Sequence, residues 1–186
     1  LLENLNIISN VSGIFWGAIL GLVGLFFLYL LISDRNNWWA AFPAFTLIGL
    51  AASSFLPKPL EAFEGLVFFG GIALAFIWVY ATDTSRWWAI IPAGVMLTLG
   101  AISALDEISG ADNDGFLFLG LGITFVLVAI LPGGSGRSWA FFPGFALLIF
   151  GAFLSADVVG WVEYLWPAAL ILLGGYFVVK FFRKPA

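Results

Sequence analysis

The chain of 186 residues contains no cysteine and no histidine. Without thiols there is no disulfide framework and no Cys-type zinc site, and without imidazole there is no His-ligated metal, haem or chlorophyll and no histidine proton switch. Covalent or acid–base catalysis loses its commonest nucleophile and its commonest base at the same time, so no enzyme is expected. Charge is scarce as well: 10% of residues are Asp, Glu, Lys or Arg, against roughly a quarter in soluble domains. No basic patch exists to hold a nucleic acid.

What fills the space is apolar. Hydrophobic residues make up 62% of the chain and the mean hydropathy is +1.09, which places it among integral membrane proteins. Runs long enough to cross a hydrocarbon core of about 30 Å occur at 13–32, 38–55, 65–81, 87–105, 115–131, 139–154 and 165–182. They are apolar all round and do not alternate at period two, which predicts an all-α protein with seven transmembrane helices in a single domain, 1–186.

The connections sort by charge. Six of the seven basic residues (Arg35, Arg86, Arg137, Lys180, Arg183, Lys184) lie in the connections after the first, third and fifth runs or in the closing "KFFRKPA", while the opposite face carries only Lys58 and nine of the eleven acids. The positive-inside rule then predicts an external N-terminus and a cytoplasmic C-terminus. The leading "LLENLNIISN" has no basic stretch, so a cleaved signal peptide is not expected. Leu1, Leu5 and Ile8 share a helical face, and the tail either lies flat at the interface or is disordered.

One motif recurs three times: "RNNWWAAFPAF" from Arg35, "RWWAIIPAG" from Arg86 and "RSWAFFPGF" from Arg137. Aligning Trp39, Trp88 and Trp139 brings Pro43, Pro92 and Pro143 into register, each four residues later, with periods of 49 and 51. The chain thus reads as three parallel helical hairpins (13–56, 65–105, 115–155) plus a last helix at 165–182. Arginine and tryptophan suit the headgroup layer, giving an interface anchor or, on a functional reading, three contacts for anionic lipid or a cytoplasmic partner. Each proline frees the carbonyl of its motif Trp, and the resulting bend is cheap beside water. Gly13, Gly17 and Gly21 recur every four residues in the first run and predict close packing against another span or another subunit.

Ionisable groups at depth, the usual mark of transport or proton relay, are missing. Thr46, Thr98 and Thr124 are the polar residues there, and a hydroxyl in a helix bonds to the preceding turn unless it contacts a solute. A microbial rhodopsin would need a lysine mid-way in the last span and an internal carboxylate; Lys180 lies at the end of its run and no internal acid exists. The stretch "LDEISGADNDG", with Asp106, Glu107, Asp112 and Asp114, fails the EF-hand spacing and reads as a solvated acidic loop. No metal, cofactor or catalytic residue is predicted.

"WPAALILLGGYFVV" from Trp166 and "WAIIPAGVMLTLG" from Trp88 resemble the Trp/Pro, Leu/Ile and Gly pattern of the LiaI/LiaF-like group of small bacterial membrane proteins. The resemblance implies a bacterial cytoplasmic membrane and, for the group, envelope-stress sensing; the group's soluble C-terminal domain has no counterpart here. Three functions follow as expectations: a scaffold or accessory subunit of a membrane assembly or homo-oligomer, a channel or carrier for a neutral or apolar solute lined by the threonines, and an envelope-stress or lipid sensor. Membrane lipids and other subunits are the expected partners.

Overall fold

The computed structural model describes residues 7–109, 114–133, 135–155 and 171. Six α-helices run through them: α1 (Ile7–Ser33), α2 (Ala41–Ser54), α3 (Glu64–Thr82), α4 (Ile90–Ser109), α5 (Asp114–Ile130) and α6 (Phe141–Ser155). There is no strand among the described residues. Four stretches, Gly13–Ser33, Lys58–Thr82, Thr84–Ile108 and Ser138–Ser155, are long and apolar enough to cross a membrane; Gly115–Ile130 is apolar but shorter. The expected last helix at 165–182, residue 171 apart, and the N-terminal tail at 1–6 lie outside the described residues.

The second predicted run, 38–55, is two pieces. A 3₁₀ segment, Arg35–Ala40, leads into α2, whose 14 residues span only about 21 Å. The same tighter helix, Thr84–Ala89 and Ser138–Ala140, introduces α4 and α6. A 3₁₀ turn rises about 2.0 Å per residue, so it lengthens a short α-helix at little cost in residues.

Each described helix packs chiefly on its neighbours in sequence, so α1 to α6 follow one another in a row. Small residues set the spacing, since they let the helix backbones approach closely. Gly17 faces Ser54 and Phe55 on α2 and its neighbour, and Gly21 faces Ala51. Gly24 completes the stripe against Ile48 and the Ala44 carbonyl. The partner of the first glycine stripe is therefore α2 of the same chain. Gly13 stands apart, with open space where a Cβ would be.

Glycine–serine pairs close the other end of the hairpins: Gly65 packs on Ser103 and Gly115 on Ser155, as Gly17 does on Ser54. Between α2 and α3 the approach is backbone on backbone. A Cβ on Gly71 would lie 2.7 Å from the Phe45 carbonyl oxygen and 2.8 Å from the Gly49 Cα. Gly120 and Gly122, two residues apart on α5, serve opposite neighbours, the first Thr98 of α4 and the second Leu148 of α6.

Candidate functional site: the arginine–tryptophan turns and the threonine seam

These three 3₁₀ turns, before α2, α4 and α6, carry the recurring motif along one edge of the row, where the helices of each pair are joined. Asp34 and Asp83 begin the first two: the N–H of Asn36 donates to the Asp34 carboxylate at 2.9 Å, and that of Ser85 to Asp83 at 3.0 Å. These are N-caps, with short acidic side chains accepting from the turn's otherwise unpaired amides. The third copy has no such aspartate, and its turn carries no side-chain cap. The caps were legible as an Asp four residues before the first Trp of the motif, Asp34 before Trp38 and Asp83 before Trp87, yet a charge count absorbs them into the basic loops.

Within each turn the residues divide by direction. Ala40, Ala89 and Ala140 are fully buried. Trp39, Trp88 and Trp139 are each about half exposed and meet a phenylalanine of the preceding helix edge-on: Phe27 at 6.2 Å, Phe76 at 6.3 Å and Phe125 at 6.2 Å between ring centroids. Edge-to-face geometry aims a ring's positive edge at its partner's negative face. The recurring Trp-Ala is thus a packing unit, in which a methyl fits where the helices approach and the indole covers the joint.

Pro43, Pro92 and Pro143 sit in the first turn of α2, α4 and α6, where a missing N–H costs least. The carbonyls of Trp39, Trp88 and Trp139 accept from the junction where the 3₁₀ turn passes into the α-helix. They are re-satisfied by protein, not left for water as the sequence alone suggests. In the first two copies the helical path breaks ahead of the proline, at Asn37 (φ −84°, ψ 32°) and Arg86 (φ −84°, ψ 40°).

The arginines differ. Arg86 pairs with Asp83 at 3.4 Å and lies over the Trp38 ring, 4.5 Å from its centroid, so the second turn is tied to the first. Arg137 is buried: its guanidinium donates to the carbonyls of Leu131 and Pro132, beyond the end of α5, while its Nε has no partner. A cation there complements the negative end of the helix dipole. Nearby, the Tyr80 hydroxyl donates to the Pro132 carbonyl at 2.7 Å, joining α3 to the same loop. Two of the three arginines are therefore held by protein groups; the side chain of Arg35 lies outside the described residues.

The Asp83 carboxyl is held below its ordinary range, chiefly by hydrogen bonds from the Ser85 side chain and backbone N–H, with the Arg86 charge adding to them. A lowered folded-state value means that this contribution is complete above the ordinary carboxylate range and is lost as pH falls through the lowered value. Acidification below about pH 4 should accordingly release the cap and Arg86 together. The expected readout is a change in tryptophan emission in that range, absent from both Asp83→Asn and Trp38→Phe. An unchanged acid transition in Asp83→Asn would remove Asp83 as its cause.

The deep threonines form the second constellation. Thr98 donates to the Gly94 carbonyl and Thr124 to that of Gly120, each at 2.8 Å and one turn back on its own helix. A Cβ on Gly94 would overlap the Thr124 side chain, and one on Gly120 the Thr98 side chain. Two Gly-x-x-x-Thr segments thus cross reciprocally between antiparallel α4 and α5. Both threonines line a groove of about 430 Å³, otherwise apolar, and Thr46 is not part of it. With both hydroxyls spent on backbone carbonyls, the groove presents almost entirely apolar surface.

No family model, curated protein or solved structure matches the chain.

Proposed function

We propose that the chain is a seven-pass protein of a bacterial cytoplasmic membrane with a structural or accessory role, a scaffold or small subunit of a larger assembly or a homo-oligomer. On this reading the chain forms three parallel hairpins and a last helix, and the charge asymmetry of the sequence supports an external N-terminus with the arginine–tryptophan turns and the C-terminus in the cytoplasm. The observation that carries the functional reading is the open row of helices. Its first and sixth members keep broad apolar surfaces uncovered, with Phe15, Trp16 and Leu22 on α1 and Phe142, Phe145 and Ile149 on α6 all more than half exposed. Among the described residues, such a row offers flanks to neighbours and encloses no polar path.

The carrier reading draws less support, since the hydroxyls at Thr98 and Thr124 are bonded within their own helices. Catalysis is not proposed: among the described residues the tight contacts join glycines to alanines, serines, threonines and backbone, and they serve packing. Lipid sensing at the inner turns survives through the half-exposed indoles more than through Arg86 and Arg137, which protein groups engage.

Extraction into nanodiscs from native membranes, followed by native mass spectrometry, tests this directly. Stoichiometric protein partners or a defined homo-oligomer are expected. A strictly monomeric chain with no bound protein would overturn the accessory role.

A further inference from the structure

The tryptophan turns leave one joint of the row open. Because the 3₁₀ turn Arg35–Ala40 precedes α2, the last turns of α1 and α3 have that turn between them instead of an α-helix. A pocket of about 430 Å³ lies there, walled by Leu31 and Ile32 of α1, Trp38 of the turn, and Trp78, Ala81 and Thr82 of α3.

The same joint is closed in the second repeat. A shift of 49 residues carries Gly49 and Gly71, which meet across α2 and α3, onto Thr98 and Gly120, which meet across α4 and α5. It also carries Leu31 onto Tyr80, Trp38 onto Trp87 and Trp78 onto Leu127. Tyr80, Trp87 and Leu127 pack on the core of Ile90, Val128 and Ala140, and the Tyr80 hydroxyl donates to the Pro132 carbonyl at 2.7 Å. Gly133 seats the following loop on the turn, since a Cβ there would meet the Thr84 carbonyl oxygen and lie 3.0 Å from the Trp87 Cβ. The second joint thus holds a ring with a hydrogen-bond donor at its tip. The first has a leucine at that position and a pocket beside it.

No lining residue of the pocket is ionisable, and the Thr82 hydroxyl donates to the Trp78 carbonyl. Helix geometry leaves the carbonyls of Leu31, Ile32, Ala81 and Thr82 without a partner in their own helices, and neither last turn carries a basic side chain. Two helix C-termini and two indoles favour a cationic donor. Asp34 and Asp83, which follow the helix ends, are engaged by the amides of the turns and by Arg86, and take no part. The Arg86 guanidinium stands 4.5 Å from the centroid of the Trp38 ring, so a head that carries phosphate beside its ammonium fits better than a bare cation.

We infer that this pocket binds the head of an ethanolamine phospholipid, its ammonium at the ends of α1 and α3 and its phosphate toward Arg86. A primary ammonium donates charge-assisted hydrogen bonds to carbonyl oxygens, which a choline head cannot do. A glycerol head offers only neutral hydroxyls and brings a net negative charge to two negative helix ends. The site rests on the reading that these helices cross a membrane, which puts the tryptophan turns at headgroup depth.

The test uses the full chain in nanodiscs made from equal parts of ethanolamine, choline and glycerol phospholipids with identical acyl chains, and native mass spectrometry of the lipids retained on release. Ethanolamine lipid should be retained severalfold over the other two. Ala81 is exposed, so Ala81→Phe fills the pocket without entering the core and should abolish the preference while the protein stays monodisperse. Ile130→Phe, the same ring at the exposed position 49 residues on, should keep it. Trp78→Leu, which removes an indole from the wall, should lower retention of ethanolamine lipid. Equal retention of choline and ethanolamine lipids, or a preference that persists in Ala81→Phe, would overturn the site. A chain that inserts without lipid preference defeats this inference alone; a chain that fails to enter nanodiscs defeats the membrane reading as well.

Discussion

Gly71→Val is expected to abolish the folded protein, and Gly70→Val, at the preceding residue of the same helix, to leave it intact. A Cβ at position 71 would meet the Phe45 carbonyl oxygen at 2.7 Å and the Gly49 Cα at 2.8 Å, both backbone atoms of α2. A side chain can rotate away from an intruder, but these atoms can yield only if α2 and α3 separate as bodies. Overpacking a core costs typically about 1–3 kcal/mol when side chains can adjust. A clash against backbone belongs at or beyond the upper end of that range, and a separated α2–α3 seam would also lose the contact that divides the first hairpin from the second. At Gly70 nothing lies within 4 Å of the added carbon. Size-exclusion chromatography in mild detergent would show Gly71→Val as aggregate or absent and Gly70→Val as a sharp peak with unchanged melting. Equal behaviour of the two would mean that α2 and α3 do not meet backbone to backbone.

That pair also marks what the sequence could and could not reveal. The all-helical character, the approximate ends of the helices and the recurrence of Arg, Trp, Ala and Pro are all visible in composition and spacing, because each rests on a local property of the chain. Partner choice is not local. "GG" at 70 and 71 reads as one feature, yet a Cβ would enter open space at one glycine and meet a backbone at the other; Gly13 likewise belongs by spacing to the stripe of Gly17 and Gly21 but has open space where a Cβ would be. The 3₁₀ turns were hidden for a related reason. "WWA" and "SWA" are as apolar as the helices that follow, so hydropathy merges turn and helix into one run, and only the capping Asp34 and Asp83 betray the boundary.

The arginines show the same division. As sequence, Arg35, Arg86 and Arg137 are equivalent positive charges at one face, and lipid phosphate is their natural partner. The structure separates two of them by what lies beside each: Asp83 and Trp38 for Arg86, two carbonyls after α5 for Arg137. The loop "PGGSG" is the telling difference, since the third copy replaces a capping aspartate with glycines and needs another group to fix its turn. Gly133 (φ 142°) and Gly136 (φ 84°) take conformations that side chains rarely adopt, and the Arg137 guanidinium donates to the Leu131 and Pro132 carbonyls just ahead of them.

From this follows the second large effect, the loss of Arg137. Arg137→Ala removes the donors to the Leu131 and Pro132 carbonyls and leaves those acceptors at a buried junction. Hydrogen bonds to a charged group contribute about 1.5–3 kcal/mol each way of counting, and the helix-end interaction up to about 2 kcal/mol in partly buried geometry. The orphaned Nε works against this, because a buried donor without a partner carries its own penalty, so the net loss should fall near 2 kcal/mol and not at the sum. For a chain of this size that corresponds to a fall in Tm of roughly 4–8 °C. Lysine keeps the charge but not the planar fork, so Arg137→Lys should recover only part of it. Arg86→Ala, by contrast, removes a half-exposed ion pair and a ring contact, each worth about 1 kcal/mol or less, and should shift Tm by a few degrees at most. Limited proteolysis supplies a local readout: the 132–136 loop should be cut faster in Arg137→Ala than in the unmodified protein or Arg86→Ala. Equal cleavage in all three would mean that Arg137 does not hold the loop, and its burial would then need another cause.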